Sequence, residues 1–218
     1  IFLSYVGLFQ DDRALNAFFF DFAAIPARIV TGDGLSTLFT SMFLHGGWMH
    51  LAGNMLFLYI FGDNVEDEMG HIPYLLFYLA TGLAAGLIHV ISAPYSPVPT
   101  VGASGAIAGV MGAYLLLYPK ARVDILLILI IIFRVFPIPA WIMLAVWFAM
   151  QFIGGIGSDP QAGGVAYWAH AGGFAAGLLL TFPLWLRLGG PGFWRRTDGH
   201  PPHPEAVSAR ANGPKGRR

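Results

Sequence analysis

Residues 73–119 read PYLLFYLATGLAAGLIHVISAPYSPVPTVGASGAIAGVMGAYLLLYP and contain no Asp, Glu, Lys or Arg. That run is long enough for two bilayer crossings, since one spanning helix needs roughly 20 mostly apolar residues. Pro94, Pro97 and Pro99 mark the loop between them. Two further blocks flank it: residues 34–62 carry no charge, and residues 135–186 carry only Asp159. In lipid the backbone must satisfy its own hydrogen bonds, which favours helices. The blocks therefore predict spans over residues 48–61, 73–92 and 101–118, a fourth within 138–153 and a fifth over 165–186. Residues 1–9 are apolar but too short to cross, and read as the stump of a preceding span, with 10–46 as an outer loop. The expected fold is an all-α polytopic membrane protein of six transmembrane helices, the stump counted first, occupying residues 1–188.

Composition agrees. Of 218 residues, 56% are hydrophobic, 15% aromatic and only 11% charged, against about 25% charged in soluble domains. So many aromatics and so few charges exclude a disordered chain. Twelve basic and twelve acidic residues cancel, which excludes a nucleic-acid binder. The absence of Cys removes disulfides, thiolate metal sites and cysteine nucleophiles. No metal or cofactor motif is read from the chain.

Lys and Arg in the loops set the orientation. Lys120, Arg122 and Arg134 lie between spans four and five; Arg187, Arg195, Arg196, Arg210, Lys215, Arg217 and Arg218 follow span six. That side is the cytoplasmic one. The Gly-, Pro- and Arg-rich tail, residues 189–218, is expected to be disordered. Residues 123–133, nearly all Ile and Leu, are too short to span and are read as interfacial or re-entrant. Short loops, the missing Cys and the tail point to a bacterial inner membrane.

Polar groups inside spans are costly and commonly functional. His50 and Asn54 lie four residues apart on one face of span two. Ser104 starts span four, within Gly102-Ala103-Ser104-Gly105, and His170 lies near the start of span six. Spans two, four and six all begin at the outer face, so these residues share one shallow layer. Gly173 and Gly177, on His170's face, and Gly105, Gly109 and Gly112 on span four allow the two helices to approach closely. The pattern is compatible with a Ser104–His170 hydrogen bond. His45, His71 and His89 lie at loops or span ends and are read as structural. Two other readings stay open: a catalytically silent client-binding membrane protein, and a small proton-coupled transporter using His50 and His170.

The segment His45-Gly46-Gly47-Trp48-Met49-His50-Leu51-Ala52-Gly53-Asn54 resembles the H-x-x-x-x-H-x-x-x-N signature of rhomboid intramembrane serine proteases. Gly102-Ala103-Ser104-Gly105 is similar to their G-x-S-G box, and Ala169-His170 with Gly173 and Gly177 to their A-H-x-x-G-x-x-x-G box. The three occur in the family's order over residues 35–186. The resemblance implies a serine endopeptidase that cuts transmembrane protein substrates in the bilayer. It implies Ser104 as nucleophile, His170 as general base, and His50, Asn54 and the Ser104 backbone N–H around the oxyanion. It also implies a water-filled cavity open to the outer face, with the Gly-rich segment 154–164 as its cap and span five as a side gate. Ser36 and Thr37 stand where many members carry Trp-Arg, which puts Arg-based anchoring of the outer loop in doubt. Ala108 replaces a Tyr that stacks on the histidine in some members; Trp168 or Tyr167 is the expected substitute.

Overall fold

The computed structural model describes residues 1–129, 132–159 and 161–202. Its longer helices are α1 (Asp12–Phe22), α2 (Trp48–Met69), α3 (His71–Ser92), α4 (Ser104–Leu117), α5 (Ala140–Gly157), α6 (Tyr167–Arg187) and α7 (Pro191–Thr197). A hairpin of β1 (Arg122–Leu129) and β2 (Ile132–Pro139) joins α4 to α5. Helices α2 to α6 fall on the five expected spans. Three of them, α3, α5 and α6, are long and apolar enough to cross a membrane. Helix α2 continues two turns past the expected end, through Asp63 and Glu68, and stops where Gly70 takes a φ of +80°.

The bundle is organised around α4. Eleven of its 14 residues are buried, as expected of a helix that is apolar on every side. It starts three residues later than the sequence suggests, because Gly102 has a φ of +129°, outside any right-handed helix. At about 1.5 Å per residue α4 spans about 21 Å, well short of a hydrocarbon core of about 30 Å. Space is therefore left above its first residue.

Glycine brings α6 against α4. A Cβ on Gly173 would lie 2.0 Å from the Gly105 carbonyl oxygen, and one on Gly177 would lie 1.9 Å from that of Gly109. From the other side, a Cβ on Gly112 would meet the Phe174 carbonyl at 2.3 Å. The two backbones touch. Helix α3 closes another flank through Thr81, which is fully buried, lies against Gly109 and donates from Oγ1 to the Ala106 carbonyl on α4 at 3.4 Å.

Three segments add to or correct the expectations. The run read as an interfacial or re-entrant piece carries strands Arg122–Leu129 and Ile132–Pro139, in keeping with its β-branched content. Arg122 pairs with Pro139, and the Ala140 N–H donates to the Ala121 carbonyl at 2.7 Å. The chain thus returns to the end of the bundle that it left, and α5 starts where α4 stopped. Second, the segment after Gly189 is ordered at its start: α7 folds back, Trp194 Nε1 donates to the Leu116 carbonyl at 2.8 Å, and Lys120 pairs with Asp198 at 2.7 Å. Trp194 thereby satisfies one of the carbonyls left open at the end of α4. Residues 203–218 of the expected tail lie outside the described residues. Third, Gly154, Gly155 and Gly157 belong to α5 rather than to the following loop. The first two pack under the rings of Tyr167 and Trp168, so the connection spans only residues 158–166.

The first residues form one α-turn, Phe2–Tyr5, and a 3₁₀ segment, Val6–Gln10. The outer loop is held by specific bonds. The Tyr5 hydroxyl accepts from the His45 N–H at 2.6 Å and donates to its carbonyl at 2.9 Å. Ala24 and Thr100 exchange backbone hydrogen bonds, and the Gly102 N–H donates to the Ser41 carbonyl at 2.9 Å. Arginine anchoring is present after all, supplied by Arg28. It pairs with Asp33 at 2.7 Å, lies over the Phe20 ring at 3.9 Å and donates to the Phe20 carbonyl. This bond from Arg28 holds the Asp33 carboxyl below its ordinary range.

The α4–α6 contact predicts a sharp asymmetry between glycines. Gly177→Ala should destabilise by about 1–3 kcal/mol, the usual cost of overpacking. Gly157→Ala, with nothing within 4 Å of its added Cβ, should leave stability unchanged. Thermal unfolding of the purified variants in detergent checks this; equal midpoints would contradict the backbone contact.

Candidate active site

Three helices that begin at the same end of the bundle supply the polar groups. His50 is the third residue of α2, Ser104 the first of α4 and His170 the fourth of α6. They converge on a cavity of about 560 Å³, which Asn54 also lines. The cavity occupies the space above the short α4.

Ser104 Oγ lies 2.7 Å from His170 Nε2. The bond that the sequence only permits is therefore formed, because the α4–α6 glycine contact leaves one side-chain length between the two residues. Ser104 also opens its helix. The first intrahelical bond runs from Ile107 N–H to the Ala103 carbonyl, and no side chain caps this end. The N–H groups of Ser104, Gly105 and Ala106 thus have no intrahelical acceptor. They form the positive end of the helix dipole beside the hydroxyl.

His50 is oriented by its own loop. The Gly46 N–H donates to His50 Nδ1 at 3.2 Å. In a neutral ring that makes Nδ1 the acceptor and places the hydrogen on Nε2. Nε2 faces Gly102, where an added Cβ would lie 2.8 Å from it and 3.6 Å from Ser104 Oγ. Gly102 is thus required twice, by its φ and by its closeness to the imidazole. Asn54, one turn below and 6% exposed, donates from Nδ2 to the His50 carbonyl at 3.0 Å. Its other amide hydrogen has no partner among the described residues.

His45 packs edge-on against His50 with ring centroids 5.2 Å apart. Burial first, and the neighbouring His50 second, pull its imidazole down to about 4. His45 is neutral at physiological pH and adds no charge beside the cavity. His89 Nε2 bonds the Thr100 hydroxyl at 2.9 Å, and His71 pairs with Glu66 at 2.7 Å; neither touches Ser104 or His170.

Two contacts were not anticipated. His170 Nδ1 lies 2.8 Å from Gln151 Oε1 on α5. The ring stacked on His170 is Trp147, with centroids 5.9 Å apart and planes at 29°, in place of the expected Trp168 or Tyr167. Trp168 instead donates from Nε1 to the Gly155 carbonyl at 3.2 Å. Trp147 and Gln151 are one turn apart on α5 and grip His170 from one side. The signal for Gln151 was present: an amide in a span that is otherwise apolar.

This geometry predicts that Gly102→Ala destabilises the protein by more than about 1 kcal/mol and lowers the thermal midpoint, where a Gly-to-Ala change at a compatible φ would stabilise, because the Cβ meets a positive φ and the His50 ring. An unchanged midpoint would place His50 away from Gly102.

The family profile described as Rhomboid domain matches residues 33–187. RHOMBOID-like protein 4 of Arabidopsis thaliana is 32% identical over 167 residues, covering 73% of this chain and 36% of that protein. Rhomboid-like protein 11, chloroplastic, of the same plant is 47% identical over 70 residues, covering 32% of this chain and 25% of that protein. Rhomboid protease GluP of Bacillus subtilis is 44% identical over 78 residues, covering 36% of this chain and 15% of that protein. The chain thus aligns with a half or less of each of these relatives. With its helices apolar enough to span, and a profile match over most of its length, the chain belongs to the rhomboid family and is an integral membrane protein.

Proposed function

We propose that the chain is an intramembrane serine protease that hydrolyses peptide bonds in or near the transmembrane segments of membrane proteins. The observation that carries the reading is the 2.7 Å contact between Ser104 Oγ and His170 Nε2, inside a cavity at an open helix N-terminus. A hydroxyl bonded to an imidazole is the nucleophile–base pair of acyl transfer. Ser104 Oγ attacks the scissile carbonyl and gives its proton to His170 Nε2. Negative charge moves to the carbonyl oxygen, where His50 Nε2–H, Asn54 Nδ2–H and the Ser104 backbone N–H receive it. His170 then protonates the leaving amine. Water, taken up through the cavity, attacks the acyl-enzyme with His170 again as base, and Ser104 is regenerated.

Position supports this chemistry. Water must reach a bond that lipid keeps dry, and the short α4 leaves room for it. The substrate's helix must unwind locally to present a carbonyl, so segments rich in Gly, Ala or Ser are favoured. The cavity reaches Phe57 on α2 and Trp147 on α5, which supports lateral entry between these helices. Lys120, Arg122, Arg187, Arg195 and Arg196 gather at the end opposite the cavity. That distribution supports a cytoplasmic placement of that end and an outward-opening site; short loops, the absence of Cys and the Gly-, Pro- and Arg-rich tail are what support a bacterial inner membrane.

The test is cleavage of a type I membrane-protein substrate in liposomes. Wild type should cut; Ser104→Ala and His170→Ala should each abolish product. Activity in Ser104→Ala would overturn the assigned nucleophile. Asn54→Ala should lower kcat by up to ~10²–10³, the cost of one oxyanion donor, with KM little changed. A purely KM effect would remove Asn54 from the oxyanion site.

A further inference from the structure

Gln151 is buried, 7% exposed, on the inward stripe of α5 that also carries Ala140, Leu144 and Gly155. An amide buried there without partners is costly. Both ends of this one are satisfied. Nε2 lies 3.1 Å from the Trp147 carbonyl, and Oε1 lies 2.8 Å from His170 Nδ1.

The chemistry of these partners fixes the direction of every hydrogen bond. A main-chain carbonyl can only accept, so the amide nitrogen of Gln151 must face Trp147. Its oxygen is then the atom facing His170, and that oxygen can also only accept. His170 Nδ1 therefore carries a hydrogen, and the lone pair of the neutral ring sits on Nε2. Nε2 is the nitrogen 2.7 Å from Ser104 Oγ. A chain of donors thus runs from Ser104 through His170 and Gln151 to the backbone of α5.

We propose that Gln151 is a positioning residue for the hydrolysis argued above, on which this inference rests. It holds His170 in the Nδ1–H tautomer, with the ring turned so that Nε2 can take the Ser104 proton. This is the place a carboxylate fills in a Ser-His-Asp triad; here the acceptor is a neutral amide. After proton transfer, Oε1 still accepts from the imidazolium at Nδ1. The Trp147 ring fixes the plane of the imidazole, so both restraints come from α5. Among the described residues, the other titratable side chains lining the cavity are His50 and His89.

The test uses the full chain in liposomes with the same membrane substrate, reading kcat and KM across pH. Gln151→Leu removes the acceptor at similar volume. Its kcat should fall about 10–100-fold with KM unchanged, less than the ~10⁴ seen when a triad histidine is held in the wrong tautomer. Gln151→Glu keeps an acceptor oxygen toward Nδ1. It should recover most of that loss and move the acid limb of kcat/KM to higher pH. Thermal midpoints establish that each variant is folded, and Gln151→Met replaces the Leu variant if that one is not. A Leu variant within twofold of wild type, a loss carried by KM alone, or a Glu variant no better than Leu would overturn the role of Gln151. Wild-type cleavage abolished in Ser104→Ala isolates that outcome; if wild type does not cleave, the hydrolase reading falls first and this role falls with it.

Discussion

The backbone contact between α4 and α6 is the constraint on which the rest of the molecule depends. Lipid offers no hydrophobic drive to press one apolar helix on another, so association relies on dispersion and close approach. Here the approach reaches main chain against main chain. The Gly105 and Gly109 carbonyls lie where a Cβ on Gly173 or Gly177 would stand. Weak Cα–H···O contacts accompany such packing. The same contact sets the gap between Ser104 and His170, which stand at the cavity end of the two packed faces. A single added methyl group would widen it.

The proposed hydrolysis sets opposed demands: a dry environment for helix packing and water for the reaction. The length of α4 reconciles them. Its lower part is sealed by apolar neighbours and by Trp194 and Tyr118 at the end away from the cavity, where Tyr118 donates to Glu68 at 2.8 Å. Its upper end stops about a third short of the membrane thickness and leaves the cavity. The outer loop walls this space through the Tyr5–His45 and Gly102–Ser41 bonds, and Arg28 stiffens it where Ser36 and Thr37 cannot.

The polar groups of the site form two sets of opposite hydrogen-bond sense. His50 accepts at Nδ1 and so offers a hydrogen at Nε2, while His170 donates at Nδ1 and so offers a lone pair at Nε2. In the proposed hydrolysis, one imidazole stabilises negative charge and the other takes a proton. The difference comes entirely from what each Nδ1 faces: the Gly46 N–H in one case, the Gln151 carbonyl oxygen in the other.

His50, Asn54, Ser104 and His170 were legible in the sequence because polar groups in apolar spans are few and costly, and because alternating helices bring residues 50, 104 and 170 to one depth. Helix positions were legible for the same reason of hydropathy. Gln151 carried the same signal, but its importance lies in a partner on another helix, which spacing along one chain does not reveal. Trp147 likewise became the stacked ring only through the relative rotation of α5 and α6. The hairpin of 122–139 was hidden because a short Ile- and Leu-rich run satisfies strand and helix alike until it finds a hydrogen-bonding partner. Hydropathy along the chain thus settled which segments are apolar enough to lie against lipid and which residues in them are anomalous, since transfer from water is a property of each residue alone. Packing decided the tautomers, the stacking and the Ser104–His170 distance, since each depends on the sub-ångström approach of atoms remote in the chain.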